Sequence, residues 1–420
     1  HLDRPTIVVD SSLSPADVTN LDHSRLAGFV CAERGHTTHT AIIARVLGIP
    51  AILGAGPLVS SIRNGVLLGL DGDTGEIWIK PNRVQLDMLQ ARGEEIARKR
   101  QEIQLFHGTP TVTRDGRRVE LSANVGQLEE LETALDKDAE SIGLYRTELL
   151  HLNRPNLPSE EEQYLHYREL LTKLAGKAIT VRTLDVGDNY NKLLLADRHG
   201  NNPAMGYRGI RMSLGRSSLF RPQIRALLSA SAYGNIKILF PMVTNIQELD
   251  AALTAVESVK AELRRENLPF DERTPVGILV EVPAVALMAE NFAPKVDFFT
   301  VGINDLMQFT LAVDRGNPQI APLYTLYHPA VLRLLDNIIA AARMYDIPCN
   351  ICGEMPEADK VLPLLLGMGF DGFSMNPGSL LQARQVLNNC SYAAPQNLAR
   401  YILSMGSVAE ISANLQHWLE

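Results

Sequence analysis

Eight short apolar runs, which alternate with helical stretches after residue 111, constrain most strongly what this chain can fold into. The runs begin near Val119, Ser141, Ile179, Ile236, Val276, Val296, Pro348 and Gly372. The clearest helical stretches span residues 160–175, 219–232, 245–268, 284–292, 329–345 and 359–367. A short apolar run bounded by turn residues is typical of a strand covered on both faces. The pattern predicts an α/β fold with a (β/α)8 barrel of the TIM type over residues 111–420. A doubly wound open sheet is the alternative.

Two further regions precede the predicted barrel. Residues 1–80 are rich in turns and contain short apolar runs that predict strands beginning near Thr6, Gly28, Ala51, Val66 and Ile77. Residues 38–47 have the length and apolar spacing of a helix. Residues 81–110 are charged, with leucine and isoleucine spaced for one apolar stripe. They predict a long surface helix that links two domains, and their charge run is interpreted as a solvated face.

Composition excludes several function classes. A net charge of -8 and a pI near 5.8 provide no basic surface for nucleic acid. The four cysteines are too few and too scattered for a disulfide framework, which favours a cytoplasmic protein. Cys349 and Cys352 lack a second pair for zinc, and are expected to be one buried and one reactive thiol. No apolar run is long enough for membrane insertion, and the start at His1 suggests a piece of a longer protein.

Two acidic residues follow neighbouring strands of the predicted barrel. Glu281 follows the run that begins at Val276, and Asp305 follows the next run. The carboxyl ends of parallel barrel strands open into one shared mouth, where barrel enzymes keep their active sites. Two carboxylates with water and a substrate phosphate suit Mg²⁺. Taken alone, two such strand ends favour turn caps or arginine ion pairs over a metal site.

The other strand ends are also polar, and this favours a binding site at the barrel mouth. The polar residues at the strand ends are Asn124, Arg146, Glu148, Arg182, Asp185, Glu281, Asn304, Asp305, Cys352, Glu354, Ser374 and Asn376. Arginine binds phosphate and carboxylate oxygens through two parallel N–H groups. A single arginine is more often a structural ion pair, but arginines and acids together at one rim indicate a small phosphorylated acid as the ligand.

A second dense stretch, residues 35–45, contains two histidines ahead of the predicted helix. His39 lies near the helix start, among threonines, where backbone N–H groups favour an anion. A neutral imidazole is a competent nucleophile toward phosphorus, so the stretch is compatible with a phosphohistidine. The alternatives are two surface histidines around a turn, or a zinc site that lacks its remaining ligands.

These stretches together resemble enzyme I of the bacterial phosphoenolpyruvate–sugar phosphotransferase system, either stand-alone or as part of a fused multiphosphoryl transfer protein. Residues 35–45 are similar to its phosphohistidine signature, with His39 at the phosphorylated position. Its barrel motifs resemble residues 143–148, 181–185, 302–306, 311–317 and 352–354. The stretch GLYRTE at 143–148 separates this family from pyruvate phosphate dikinase and PEP synthase.

The resemblance implies a set of roles. Residues 1–80 would be a swivelling phosphohistidine domain, without its first part and without the helical subdomain that docks the phosphocarrier HPr. The substrate-binding residues would be Arg146, Arg182, Asn304, Asp305 and Arg315, with a further phosphate contact from Arg208. Glu281 and Asp305 would hold Mg²⁺. His39 would attack the phosphorus of phosphoenolpyruvate, and Cys352 would protonate the enolate carbon to give pyruvate.

The resemblance also implies partners and leaves alternatives. It implies transfer to HPr as the first step of sugar uptake, which we expect to be poor for this piece, and a homodimer formed through the barrel. A fragment of a dikinase or PEP synthase is the alternative enzyme, and a non-catalytic module that senses phosphoenolpyruvate is the other. The chain departs from the family at His36, where arginine is usual, and at Asp188, Asn189 and Tyr190, where a lysine-containing motif is usual.

Overall fold

The protein consists of two compact units, His1–Leu105 and Phe106–Glu420. The structure is a computed structural model. It describes residues 4–12, 21–22, 24–32, 44, 48–151, 156–186, 202–317, 319–355 and 357–419. The two units are described separately below.

The first unit is built on a small parallel sheet. Three strands, β1 (Thr6–Asp10), β2 (Leu26–Cys31) and β3 (Ala51–Leu53), lie side by side in that order. Two more strands, β4 (Leu68–Asp71) and β5 (Glu76–Ile79), form an antiparallel hairpin. Leu26 and Phe29 are buried in the core of this unit. The five predicted strands are therefore confirmed, while the predicted helix over residues 38–47 lies, apart from Ala44, outside the described residues.

The described residues of the first unit also include helix α1 (Leu58–Ser61), between β3 and β4, and helix α2 (Arg83–Gln104), after β5. Helix α2 begins at a capping box, in which the Asn82 and Gln85 side chains each accept from the other's backbone N–H. Its Leu89 packs on Gly69 of the hairpin, a position where a side chain would collide. No residue of α2 is buried, which agrees with the interpretation of its charge run as a solvated face.

The second unit is a closed barrel of eight parallel strands in chain order. The strands are β6 (Glu120–Val125), β7 (Ser141–Arg146), β8 (Ile179–Arg182), β9 (Ile236–Phe240), β10 (Val276–Val280), β11 (Phe298–Gly302), β12 (Cys349–Cys352) and β13 (Gly372–Met375). The barrel closes where β13 pairs with β6, Gly372 beside Glu120. Each strand begins at, or within two residues of, its predicted start. The (β/α)8 prediction is confirmed, and the open sheet is excluded.

Helices surround the barrel and connect its strands. They are α3 (Leu128–Asp136), α4 (Glu148–His151), α5 (Glu160–Leu174), α6 (Ile210–Gly215), α7 (Ser217–Ser231), α8 (Ile246–Arg265), α9 (Pro283–Leu287), α10 (Ala289–Phe292), α11 (Ile303–Leu311), α12 (Pro329–Met344), α13 (Ala358–Met368), α14 (Leu380–Asn389), α15 (Ala393–Leu403) and α16 (Val408–Leu419). Among the described residues, no helix has both the length and the apolar character needed to cross a bilayer.

One predicted helix is interrupted. The stretch 284–292 was expected to be continuous, but it divides into α9 and α10 at Met288, whose φ of -109° and ψ of 22° are not helical. The Asn337 side chain from α12 donates to the carbonyls of Ala286 (2.6 Å) and Leu287 (3.3 Å). This tertiary contact satisfies backbone groups that the interruption releases, so the sequence of the segment alone could not predict it.

The barrel interior is filled by side chains, as in other closed eight-stranded barrels. One buried apolar cluster comprises Leu144, Leu239, Leu279, Phe298 and Cys352. The larger core lies between the strands and the surrounding helices. Because the interior is packed, the polar strand ends meet above it and form the mouth of the barrel.

Candidate active site at the mouth of the barrel

The side chains predicted from the strand ends meet at one end of the barrel. Arg146 and Arg182 are the last residues of β7 and β8, and Cys352 is the last residue of β12. Glu281 directly follows β10, while Asn304 and Asp305 lie in the first turn of α11, directly after β11. Since the strands are parallel, all of these positions face the same rim.

A buried ion-pair network connects the arginines at this rim. The Arg182 guanidinium contacts Glu148 Oε1 at 2.9 Å and Asp185 Oδ2 at 3.1 Å. Arg208 binds Asp185 through two parallel hydrogen bonds, of 2.9 Å from Nε and 2.7 Å from Nη2. Burial alone would raise the pKa of Asp185, but the charges of Arg182 and Arg208 hold it below its ordinary value. Asp185 is therefore an ionised anchor for both arginines.

Arg208 also connects this network to the predicted metal ligands. Its Nη2 lies 3.1 Å from Asp305 Oδ2. Burial disfavours the charged form of Arg208, yet the neighbouring carboxylates of Asp185, Asp305 and Glu281 raise its pKa above the ordinary value. In this structure a guanidinium thus occupies one side of a cluster of carboxylates.

Glu281 is the most perturbed acid of the cluster. The residue is buried, and its Oε1 accepts a 2.8 Å hydrogen bond from the backbone N–H of Met242. Met242 follows β9 and adopts a left-handed backbone conformation with φ of 57°, which is unfavourable for a residue with a side chain. Burial, followed by the charges of Asp305 and Asp185, raises the pKa of Glu281 to about 8.

The two acids fit a magnesium ion. A buried carboxyl whose pKa is raised by a second carboxylate lacks compensating positive charge, and a divalent cation supplies it. Within the described part of the chain, no group of three or more His, Cys, Asp and Glu side chains is arranged to hold a metal. Mg²⁺ does not need such a cage, because it is usually held by one or two carboxylates together with water and substrate phosphate.

Two further arginines at the mouth are more exposed. Arg146 makes no hydrogen bond or ion pair with any of the described residues. Arg315, in the loop after α11, is half-exposed, and its Nη1 lies 3.9 Å from Asp305 Oδ1. The Nε of Arg182 is buried and has no partner among the described residues. The mouth therefore presents uncommitted guanidinium N–H groups, which suit an anionic ligand.

Cys352 lies beneath these charges. The thiol is buried, and burial together with the charge of Glu281 raises the pKa of Cys352 to about 12, although Arg182 and Arg146 oppose the shift. Cys349 is also buried, which confirms the expected buried thiol, while the reactivity of the other thiol stays a prediction. At neutral pH Cys352 carries its proton and is able to donate it.

Asn304 is fixed from two directions. Its side-chain Oδ1 accepts from the backbone N–H of Glu354 at 3.4 Å, and its backbone carbonyl accepts from the Tyr324 hydroxyl at 3.0 Å. Neither Tyr324 nor the Met242 amide was predicted from the sequence. A backbone amide leaves no mark on residue type, and a tyrosine in a loop belongs to no motif that the sequence analysis used.

Several predicted residues lie outside the described residues. His39 and His36 fall within 33–43, and Asp188, Asn189 and Tyr190 fall within 187–201. The proposed nucleophile and both departures from the family pattern therefore stay predictions.

Comparison with known proteins identifies relatives of both units. A family model described as PEP-utilising enzyme, mobile domain, matches residues 2–75, and one described as PEP-utilising enzyme, PEP-binding domain, matches residues 100–392. The phosphoenolpyruvate-protein phosphotransferase of Priestia megaterium is 38% identical over 410 residues, 98% of this chain and 72% of the relative. That of Streptococcus equinus is 39% identical over 411 residues, 97% of this chain and 71% of the relative.

Proposed function

This chain belongs to the phosphoenolpyruvate-protein phosphotransferases, and we propose that it transfers the phosphoryl group of phosphoenolpyruvate to its own His39 and releases pyruvate. One observation carries this proposal. The barrel mouth combines guanidinium N–H groups that lack partners among the described residues with two crowded carboxylates, the buried Glu281 and the partly buried Asp305. A doubly anionic phosphate ester that brings its own metal ion complements both features.

The arginines bind and orient the substrate. Arg146, Arg182 and Arg315 hold its phosphate and carboxylate, and the unpartnered Nε of Arg182 gains an acceptor. Arg208 adds a phosphate contact, and the Asn304 amide orients the substrate beside Asp305. Most of the catalytic effect in phosphoryl transfer comes from positioning and from neutralising charge, and this arginine-rich mouth supplies both.

Glu281 and Asp305 are the residues that hold Mg²⁺. The ion, when bound, neutralises charge on the phosphate and on the enolate oxygen. The chain's own part is to keep the two carboxylates in place, which the Met242 amide and the helix start after β11 do.

The reaction has one bond exchange and one proton transfer. A nitrogen of His39 forms a bond to phosphorus as the bond between phosphorus and the enol oxygen breaks, and the electron pair stays on the enolate. Cys352 then donates its thiol proton to the methylene carbon, which gives pyruvate. A thiol with a pKa of about 12 holds that proton until the basic enolate carbon is present.

The wider role is proposed on the same basis. The phosphohistidine passes its phosphoryl group to an HPr-type phosphocarrier, the entry step of cytoplasmic sugar uptake, and the barrels of two chains form a homodimer. Gel filtration coupled to light scattering tests the dimer. Transfer of the phosphoryl group from the labelled chain to purified HPr tests the partner.

Radiolabelled phosphoenolpyruvate tests the central reaction. The full chain is incubated with Mg²⁺ and with or without ATP, and we expect acid-labile label on the protein without nucleotide. The His39→Ala variant should take up none, and the matched His36→Ala variant, three residues away in the sequence, should keep most of its label. Label that requires ATP would instead indicate a dikinase fragment, and binding of phosphoenolpyruvate without any label would indicate a sensing module.

A further inference from the structure

Tyr324 lies between two residues of the proposed substrate site. It follows a 3₁₀ turn, Ala321–Leu323, in the connection from α11 to α12. Its hydroxyl donates a 3.0 Å hydrogen bond to the backbone carbonyl of Asn304, and the Arg315 guanidinium, 3.9 Å from the next residue Asp305, lies near enough to lower the pKa of the same hydroxyl. The tyrosine therefore links the start of α11 to a side chain from the loop beyond its end.

Arg315 needs such support because little else holds it. Helix α11 ends at Leu311, and the residue after it, Ala312, has a left-handed backbone with φ of 53°, so that the loop leaves the helix there. The Arg315 backbone N–H reaches the Gln308 side chain at 3.4 Å, and its guanidinium is 3.9 Å from Asp305 and half-exposed. A long, exposed side chain loses much rotamer entropy when it binds a ligand, unless it is already held in position.

The ring of Tyr324 has a separate task from its hydroxyl. The ring is half-buried and packs against the barrel core. Burial raises the pKa of Tyr324, whereas the Arg315 guanidinium lowers it, so the hydroxyl stays protonated at neutral pH and donates to Asn304. Packing by the ring would survive in phenylalanine, while the hydrogen bond to Asn304 and the interaction with Arg315 would not.

We propose that Tyr324 is a positioning residue for phosphoenolpyruvate, whose hydroxyl holds the Arg315 guanidinium in place over the Asn304–Asp305 turn before the substrate arrives. This inference rests on the proposed function. It assigns to Tyr324 the role of reducing the ordering cost of binding. The effect should consequently appear in the affinity for phosphoenolpyruvate, and much less in the rate of the bound complex.

The test removes only the hydroxyl. In the full-length Tyr324→Phe variant, KM for phosphoenolpyruvate should rise about three- to tenfold, the range expected for one hydrogen bond to a charged partner, with kcat changed by less than about twofold. Phosphoenolpyruvate titrated calorimetrically into His39→Ala protein with Mg²⁺ gives the affinity without turnover, and the dissociation constant should rise by the same factor when Tyr324→Phe is added.

Tyr327→Phe is the matched control. Tyr327 has similar exposure and lies on the same segment, but its hydroxyl donates to Glu357 at 3.0 Å and to none of the proposed site residues. We expect its KM to stay within about twofold of wild type. A similar rise in KM for both variants would show a general effect on the segment and overturn the assignment to Tyr324.

A double-mutant cycle decides whether Tyr324 acts through Arg315. In an Arg315→Ala background, Tyr324→Phe should change the affinity for phosphoenolpyruvate by less than about twofold, because the residue it positions is gone. An equal effect in both backgrounds, or an unchanged affinity in the single variant, would overturn the inference. Failure of the wild-type chain to become phosphorylated would count against the proposed function instead, so the two failures are distinguishable.

Discussion

Arg208 Nη2 donates a 3.1 Å hydrogen bond to Asp305 Oδ2, so the guanidinium pairs with a carboxylate that is also a proposed magnesium ligand. Asp185 binds the same guanidinium from the other side through two hydrogen bonds. We therefore expect Arg208 and Mg²⁺ to compete for Asp305 when no substrate is present. A phosphate group would give Arg208 a new partner and release Asp305 to the metal.

The Arg208→Ala variant separates the effect of Arg208 on metal binding from its effect on phosphate binding. Without the guanidinium, the carboxylates lose a positive neighbour, so Mn²⁺ used as a probe should bind the substrate-free variant severalfold more tightly than wild type. Phosphoenolpyruvate, which loses a phosphate contact, should bind more weakly, by about tenfold. Electron paramagnetic resonance measures free Mn²⁺, and calorimetry measures the substrate.

Arg211→Ala provides the control for that experiment. Arg211 lies on the next turn, and its side chain reaches the Gly206 carbonyl and approaches Glu248 rather than Asp305. Its removal should leave the Mn²⁺ affinity unchanged. Weaker Mn²⁺ binding by Arg208→Ala would refute competition for Asp305.

Because the pKa of Glu281 is raised, we expect a neutral replacement of this residue to stabilise the protein by an amount that depends on pH. In the folded protein the pKa of Glu281 is about 8, above its ordinary value of 4.5. Between pH 4.5 and about pH 8 the folded protein therefore keeps the Glu281 proton, whereas the unfolded protein has lost it. The free energy of unfolding consequently falls as the pH rises through this range. Glu281→Gln should raise the melting temperature in EDTA more at about pH 8 than at about pH 5.

The exposed neighbour Glu290 provides the comparison for Glu281. Glu290→Gln should change the melting temperature little at either pH. Added Mg²⁺ should stabilise wild type but not Glu281→Gln, since the variant has lost a ligand. Parallel pH profiles for wild type and Glu281→Gln would contradict the assignment of a raised pKa to this carboxyl.

The barrel and most of its rim could be predicted because they depend on local sequence. Strands covered on both faces need continuous apolar runs, and parallel topology brings their polar ends together, so Glu281 and Asp305 could be assigned to one mouth. The interruption at Met288 could not be predicted, because it depends on the Asn337 side chain of α12, which donates a hydrogen bond to the Ala286 carbonyl. The Met242 amide that donates to Glu281 belongs to a residue with a left-handed backbone, which packs closely against Gly209. No local sequence pattern encodes this packing.

Substitution of Arg384, which makes none of the contacts of the barrel-mouth site, is expected to destabilise the protein. Its side chain is buried, with Nε 3.1 Å from the Thr111 hydroxyl, Nη2 2.7 Å from the Asp138 carbonyl, and an ion pair with the Asp138 carboxylate. Removing the buried guanidinium leaves the partly buried Asp138 carboxylate and the Asp138 carbonyl without this partner, so Arg384→Met should lower the free energy of unfolding by about 2 kcal/mol.

Urea denaturation followed by Trp418 fluorescence, in a Trp78→Phe background, reports the effect of Arg384→Met on the barrel unit. The exposed Arg400→Ala substitution should change the free energy of unfolding by less than about 0.5 kcal/mol. An Arg384→Met variant as stable as the Arg400→Ala variant would contradict a structural role for the buried guanidinium.

We expect substitution of Cys352 to lower kcat with little change in KM, because a proton donor acts after the substrate is bound. Cys352→Ala should lower the rate of pyruvate formation by about 10²- to 10⁴-fold. Pyruvate is measured by coupled reduction to lactate. A variant with wild-type kcat would show that another group protonates the enolate.

The protonation state of Cys352 can be tested without turnover. With a pKa of about 12, almost none of the thiol is ionised near pH 8, and only the thiolate reacts with iodoacetamide. Cys390 is only half-buried, so it should be alkylated first in the native protein, and Cys352 only after unfolding in urea. Peptide mass spectrometry at timed intervals gives both rates. Rapid alkylation of native Cys352 would mean that Arg146 and Arg182 stabilise a thiolate there, and a thiolate has no proton to give to an enolate.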